Sequence, residues 1–337
     1  MAHRQFDFYG VGVRVKSNED EFLSAVEHDF SYFLGKADHP LLGLTLTNSK
    51  PDYDGLPELT CSFANPRSIC FSDGRFTYVD YFGQGLSIYD KQTNYCEIIT
   101  DDLEPAREIA YSAILSRVSE ELERKHLHRI HGLGIEFAGK GTIILLPNCG
   151  GKSTMALSLL RYDDRFRLIS EDSPLLQSDG QLLPFPLHIG VHSHIVPPDI
   201  DSRFIRIDKR MEFSPKINID IRFFGDQVSR QAVPAESLLL GTRITGRRAT
   251  ISPVSRTSAL RHALTSSIIG IGLYQGLEFL SQKSLRESVE HMGLLFSRVY
   301  NKLVLLKQTR VYEFLIGRDI DRNSECLRDF LSTQDKK

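Results

Sequence analysis

No two of the chain's cysteines form a C-x-x-C pair. The five, Cys61, Cys70, Cys96, Cys149 and Cys326, are scattered and odd in number, which argues against a disulfide framework and predicts reduced thiols. No apolar run is long enough to span a bilayer, and residues 1–7 lack the apolar core of a signal peptide. The expectation is therefore a cytoplasmic chain with no membrane partner. Neither sign of charge dominates: 41 Lys and Arg against 43 Asp and Glu leave a net charge of -2, so nothing draws the whole chain to nucleic acid, which is not an expected partner. Internal repeats and low-complexity linkers are missing too. What remains is 337 residues, 41% hydrophobic and 25% charged, an ordinary globular composition with length for two domains or one large domain with an appendage.

The most informative stretch runs from Gly141 to Leu160. Residues 142–146 are β-branched and continuously apolar, as in a strand buried on both faces, and residues 155–160 are good helix formers. Between them Gly150-Gly151-Lys152-Ser153 matches the second half of the phosphate-binding pattern G-x-x-x-x-G-K-[ST]. The expected phosphate ligands are Asn148, Cys149, Gly150, Gly151, Lys152, Ser153 and Thr154. Loop amides and the helix's positive end would hold a polyphosphate, a solvent-facing Lys152 would neutralise it, and the Ser153 hydroxyl would ligate magnesium. Leu146 stands where the pattern has its first glycine; Pro147 can fix the bend there, and Asn148 tolerates left-handed geometry. Cys149 lies where a helix end could favour a thiolate, although a small residue fitted to a tight turn is the plainer reading.

Around this stretch the pattern reads as an α/β (α+β) fold. Residues 6–16 alternate, with Val11, Val13 and Val15 on one face, and predict a strand; Ser17-Asn18-Glu19-Asp20 then starts a helix to about residue 34 whose apolar face carries Phe22, Leu23, Val26, Phe30 and Phe33. Residues 42–46, 68–71, 76–82, 86–89 and 95–99 read as short strands, with hairpin turns at 71–76 and 89–95. Residues 1–101 thus form an N-terminal α+β lobe dominated by antiparallel sheet, without a recognisable catalytic constellation, and residues 102–337 form the second domain.

The second domain opens with a long helix at Pro105, closed by Arg124-Lys125-His126. Strands at 134–138 and 142–146 follow, joined by a Gly139-Lys140-Gly141 turn. The strand at 166–170 ends in Glu171-Asp172, the position where a nucleotide site needs one carboxylate for magnesium and another to accept a hydroxyl proton. Residues 175–185 form a hairpin. His126, His128 and His131, and again His188, His192 and His194, cluster without a cysteine or clear carboxylate to complete a zinc site. Arg203, Arg206, Lys209 and Arg210 form one basic cluster and Arg243, Arg247 and Arg248 another, from which one arginine would suit the charge on a transferring phosphoryl group. Residues 258–330 are largely helical in pattern, weakened by Gly270 and Gly272, with a last strand at 311–316 before a terminal helix.

The order His131-Gly132, strand, Gly-Lys-Gly turn, Gly151-Lys152-Ser153, Leu168-Ile169-Ser170-Glu171-Asp172 and Leu183-Pro184-Phe185-Pro186 resembles the catalytic core of HPr kinase/phosphorylase and its related kinases, whose fold is akin to that of phosphoenolpyruvate carboxykinase. The resemblance covers residues 128–186. It implies a P-loop kinase core with a C-terminal helical segment at 102–337, with ATP and Mg2+ as cofactors. It further implies Lys152 on the β and γ phosphates, Ser153 and Asp172 as metal ligands, and Glu171 at the catalytic-base position with His131 beside it. Leu146 replaces the loop glycine and Glu171 the usual Asp. The glycine-rich signature and amino-terminal domain of true HPr kinases are missing, which points to the looser group of related enzymes acting on serine hydroxyls.

The expectation is an ATP-dependent kinase whose acceptor is a hydroxyl-bearing small molecule, peptide or protein; self-association into a homo-oligomer is left open. The competing reading, supported by the departures at Leu146 and Glu171, is a nucleotide-binding regulatory or assembly protein with weak or no transferase activity.

Overall fold

The structure, a computed structural model, describes residues 1–146, 150–192, 195–208, 216–255, 297–298 and 300–334. The chain is mixed α/β with several mixed sheets, and it divides into two compact units. The first comprises Met1–Arg124 and regains the chain at Ile207–Ile217; the second comprises Lys125–Arg206, Asn218–Gly272 and Gly293–Lys337 within their described parts. Among the described residues no helix is long and apolar enough to cross a membrane.

The first unit is an eight-stranded sheet. Its strands are β1 (Ala2–Asp7), β2 (Gly12–Ser17), β3 (Leu42–Thr47), β4 (Cys61–Ala64), β5 (Ile69–Ser72), β6 (Phe76–Asp80), β7 (Leu86–Asp90) and β8 (Tyr95–Ile99), in the spatial order β1-β2-β3-β8-β7-β6-β5-β4. Only β2/β3 and β3/β8 pair in parallel. Helix α1 (Asp20–Asp29) links β2 to β3, and α2 (Leu103–Arg124) follows β8.

Residues 6–16 are not one strand but a hairpin. Tyr9 and Gly10 take φ of 56° and 77°, and Phe8 and Val11 close the turn through paired backbone bonds of 3.0 and 3.2 Å. Both are buried, so apolar spacing runs unbroken through the turn and hides it. Helix α1 stops at Asp29, because Phe30 leaves helical geometry at φ -123°, and the apolar face continues in a 3-10 turn at Ser31–Phe33. Phe6, Phe8, Phe22, Phe30 and Phe33 are all buried, each side chain contributing roughly 1.5–3 kcal/mol, and Phe30 stacks on Tyr111 of α2 at 5.5 Å. Strand β4 escaped the sequence reading because it is largely exposed and held at the sheet edge by backbone pairing to β5. Helix α2, which sequence assigned to the second domain, groups with this unit. Its Arg107 places Nη1 2.8 Å from Asp208, on the segment that returns to the unit.

The second unit contains β9 (His128–Arg129), β10 (Leu133–Phe137), β11 (Lys140–Leu145), α3 (Lys152–Tyr162), β12 (Phe166–Ser170), β13 (Leu175–Leu176), β14 (Gln181–Leu183) and β15 (His188–Val191). Strands β16 (Ile205–Asp208) and β17 (Lys216–Asp220) overlap the two ends of the return segment, and β18 (Val233–Arg243), β19 (Thr250–Pro253), β20 (Arg310–Ile316) and α4 (Ile320–Gln334) complete the second unit. The main sheet runs β12-β10-β11-β18, with β20 and then β19 beyond β18, and β14-β13-β9 continuing from the start of β18.

Strands β11, β18 and β20 are parallel. Since β10 is antiparallel to both β11 and β12, β12 runs in the same direction as those three, and the carboxyl ends of all four lie along one edge of the sheet. That edge is where open α/β sheets bind ligands.

One sequence reading shifts here, and one strand was not foreseen. The turn into β11 is Ala138-Gly139, at φ of 51° and 76°, and Lys140 already pairs with Phe137; positive φ at both central positions is the mark of a type I′ two-residue hairpin loop. Strand β18, the axis of the sheet, was not foreseen, because its apolar run Leu238-Leu239-Leu240 sits among polar residues and leads into the arginine cluster. The helix weakened by Gly270 and Gly272 lies outside the described residues, as does most of 258–330; residues 300–308 are helical and 311–316 belong to β20.

Candidate active site

Strand β11 is buried along Gly141–Leu145 and delivers the chain to Leu146, itself 4% exposed. Pro147, Asn148 and Cys149 lie outside the described residues. The chain is described again at Gly150-Gly151, where Gly151 caps α3 at φ 93°, a left-handed conformation that costs an L side chain roughly 1–2 kcal/mol. The Met155 amide bonds to the Gly151 carbonyl at 2.9 Å and closes the first helical turn. Lys152, Ser153 and Thr154 therefore occupy that turn, where unpaired amides and the helix dipole favour an anion.

Across this helix end stand residues from two other places in the chain. Lys152 Nζ lies 3.1 Å from Asp172 Oδ1 and 3.2 Å from His131 Nε2, and His131 Nδ1 lies 3.3 Å from Asp172 Oδ2. A lysine ammonium only donates, so its contact with His131 Nε2 is a hydrogen bond when that nitrogen carries no proton, and Nδ1–H then faces Asp172. Ser153 belongs to a second pair: its hydroxyl donates to Glu171 Oε1 at 2.5 Å. The structure thus brings together His131, Lys152, Ser153, Glu171 and Asp172. It corrects one expectation: Lys152 does not face solvent but is 8% exposed, because the triangle with His131 and Asp172 holds it inward.

The acidic pair is held by groups that sequence reasoning passed over. The Ser170 hydroxyl donates to the Phe185 carbonyl at 2.7 Å and accepts from the Ser173 amide at 2.9 Å, both bonds buried. Arg129 donates to the Ser173 hydroxyl at 2.7 Å, and the Gly132 amide bonds the Asp172 carbonyl at 3.0 Å. The signal was present as the serines bracketing Glu171-Asp172 in Ser170-Glu-Asp-Ser173.

Electrostatics follow the geometry. Burial pushes the Asp172 carboxyl upward, but the His131 hydrogen bond and the Lys152 charge outweigh it and hold the group below the usual carboxylate range. The other histidines separate from His131: His126 Nδ1 and His128 Nε2 sit 3.1 and 2.9 Å from the Ser297 hydroxyl. His194 lies outside the described residues, and among those described no group of three His, Cys, Asp or Glu could hold a metal ion by itself. Magnesium asks less of a protein, one or two carboxylates completed by phosphate oxygens and water, and the Ser153–Glu171 pair could offer it a hydroxyl and a carboxylate. Lys209 and Arg210 fall outside the described residues; Arg243 lines a cavity beside Gly150 and Gly151.

The arrangement is a buried strand, a glycine turn and a helix end carrying a lysine, faced by two carboxylates in different surroundings. No protein-family model matches the chain, and no curated protein matches it.

Proposed function

We propose that the protein is a nucleotide-dependent phosphotransferase of the HPr kinase-related kind, transferring the γ-phosphoryl group of ATP to a hydroxyl, that of serine or a similar small group. The observation that carries this reading is the convergence of Lys152, at the amino end of α3, with the His131–Asp172 pair on one side and the Ser153–Glu171 pair on the other. Phosphoryl transfer requires little covalent chemistry from a protein; it requires positioning and charge neutralisation, and these are what the five side chains supply.

The contacts support exchanging the two carboxylate roles that the resemblance implies. Glu171 touches Ser153 and is suited to share a magnesium ion with it; Asp172, aligned by Nδ1–H of His131, is suited to accept the acceptor's proton. Magnesium, when bound, neutralises phosphate charge. Lys152 serves as a resident cation. Drawn to the β and γ phosphates, it leaves the Asp172 carboxylate, which then gains basicity. The acceptor oxygen forms its bond to the γ phosphorus as the bond from that phosphorus to the β–γ bridging oxygen breaks; ADP leaves with the electron pair, and the hydroxyl proton passes to Asp172.

The test is ADP release with magnesium and ATP, measured with and without free serine, serine peptides and a serine-bearing carrier protein. Release that depends strongly on one acceptor, with a phosphoserine product, supports the kinase. Slow release indifferent to every acceptor supports a regulatory nucleotide-binding protein instead.

A further inference from the structure

Arginines elsewhere in the chain hold carboxylates: Arg4 and Arg161 at 2.6 Å, Arg75 and Arg165 at 2.7 Å. At the carboxyl ends of β18 and β20 four do not. Arg243, Arg247, Arg248 and Arg318 are all exposed, and among the described residues none of their side chains has a partner. Asp319, the adjoining carboxylate, is taken by Arg322 at 3.4 Å.

The backbone brings these four together. Arg243 pairs with Ile316 across β18 and β20, and the Ile244 and Arg318 amides bond the Ile316 and Gly246 carbonyls at 2.9 Å each. A Cβ on Gly317 would stand 2.4 Å from the Arg247 carbonyl oxygen and 3.1 Å from the Arg248 nitrogen. The bare glycine thus lets the loop at 244–248 lie directly on the end of β20. Like charges held side by side repel one another and work against the compact state, so a fixed backbone that gathers four of them needs an anion from outside.

The patch borders the candidate active site. Arg243 and Arg318 line the cavity beside Gly150 and Gly151, and the next residue, Lys152, lies 3.1 Å from Asp172. Arg247 and Arg248 stand outside that cavity's lining, beyond what a triphosphate at the helix end calls for, and face a larger partner. The guanidinium fork matches a carboxylate bidentately.

We infer that the 243–248 loop and Arg318 dock the acidic side chains of a polypeptide acceptor and hold its serine toward Asp172. The inference rests on the phosphotransferase reading above and narrows its acceptor to a serine in a segment that bears aspartate or glutamate, in place of the free amino acid. Nucleic acid fits less well, since it is tracked by an extended basic groove, whereas this patch is one loop and one adjoining residue on a chain of net charge -2.

The experiment titrates the full chain with three dye-labelled probes: a short peptide whose serine is flanked by aspartates and glutamates, its counterpart with asparagines and glutamines, and a single-stranded oligonucleotide. The double variant Arg247→Gln with Arg248→Gln, altered only at exposed positions, is titrated alongside, and ATP affinity and peptide phosphorylation are measured on both proteins. The acidic peptide should bind about tenfold more tightly than the neutral one, the scale of several surface ion pairs together. The double substitution should cut that preference to about threefold, and added salt should weaken it. Equal binding of the two peptides overturns the proposal, as does an oligonucleotide that binds while the acidic peptide does not. A loss of ATP affinity in the double variant with the peptide preference intact gives the arginines to the donor and overturns it too. Arginine-dependent binding of the acidic peptide without phosphorylation of either peptide would uphold the docking surface and overturn the kinase reading on which its role toward an acceptor rests.

Discussion

Leu146, standing where a phosphate loop ordinarily has glycine, packs its side chain over the bare Cα of Gly241. A Cβ added at Gly241 would collide with Leu146 Cδ2 and stand 2.7 Å from the Leu145 carbonyl oxygen. The glycine has in effect moved from the loop to the neighbouring strand: β18 gives up a side chain so that β11 can end in a leucine.

Gly241→Ala should therefore displace the end of β11 and, with it, the loop. Overpacking of this kind costs about 1–3 kcal/mol. Thermal unfolding should register the loss, and nucleotide titration should show affinity falling further than the unfolding change alone accounts for at the assay temperature. Wild-type affinity in a destabilised Gly241→Ala protein would mean that the strand gives way without moving the loop.

Lys152→Ala should lower turnover by roughly 10²-fold or more, the usual cost of a removed charge-stabilising group. Because Lys152 is buried against Asp172 and His131, the variant should also change stability, so melting and ADP release need measuring on one preparation. Turnover within about threefold of the parent, far inside that expected loss, would sink the kinase proposal.

The exchanged carboxylates predict opposite signatures. Glu171→Gln should raise the magnesium concentration needed for half-maximal turnover, since a neutral amide is a poorer ligand than a carboxylate. Asp172→Asn should keep nucleotide affinity while turnover falls by roughly 10²-fold or more. The reverse pattern would restore Glu171 as the base, with Asp172 as the metal ligand.

The depressed Asp172 carboxyl also gives a pH dependence. A group held below its unfolded value contributes stability that is present above the unfolded pKa and lost as pH falls through the folded one. The melting temperature of the parent should exceed that of Asp172→Asn at neutral pH, and the gap should close on acidification below the ordinary aspartate value of about 3.9. With the carboxylate 40% exposed, solvent screening keeps the gap small. A gap that does not change with pH would separate the ion pair from stability.

What the sequence by itself determined is what local chemistry encodes. The β-branched run of 142–146, the glycine pair and the helix formers after it specify strand, turn and helix with no help from distant residues, and the hairpins at 71–76 and 89–95 follow from turn residues between alternating runs. Acids at the end of 166–170 were legible because they end an apolar strand. Tertiary structure alone decided which of those acids meets Ser153 and which meets Lys152, since adjacent residues at a strand end leave in different directions and only the strands beside them say what waits there. It alone buried Lys152, and it alone made β18 the axis of the sheet, because that role comes from pairing with β11, β14 and β20 rather than from any periodicity of its own. Leu146 looked like a defect in a motif until Gly241, ninety-five positions on, supplied the space it fills.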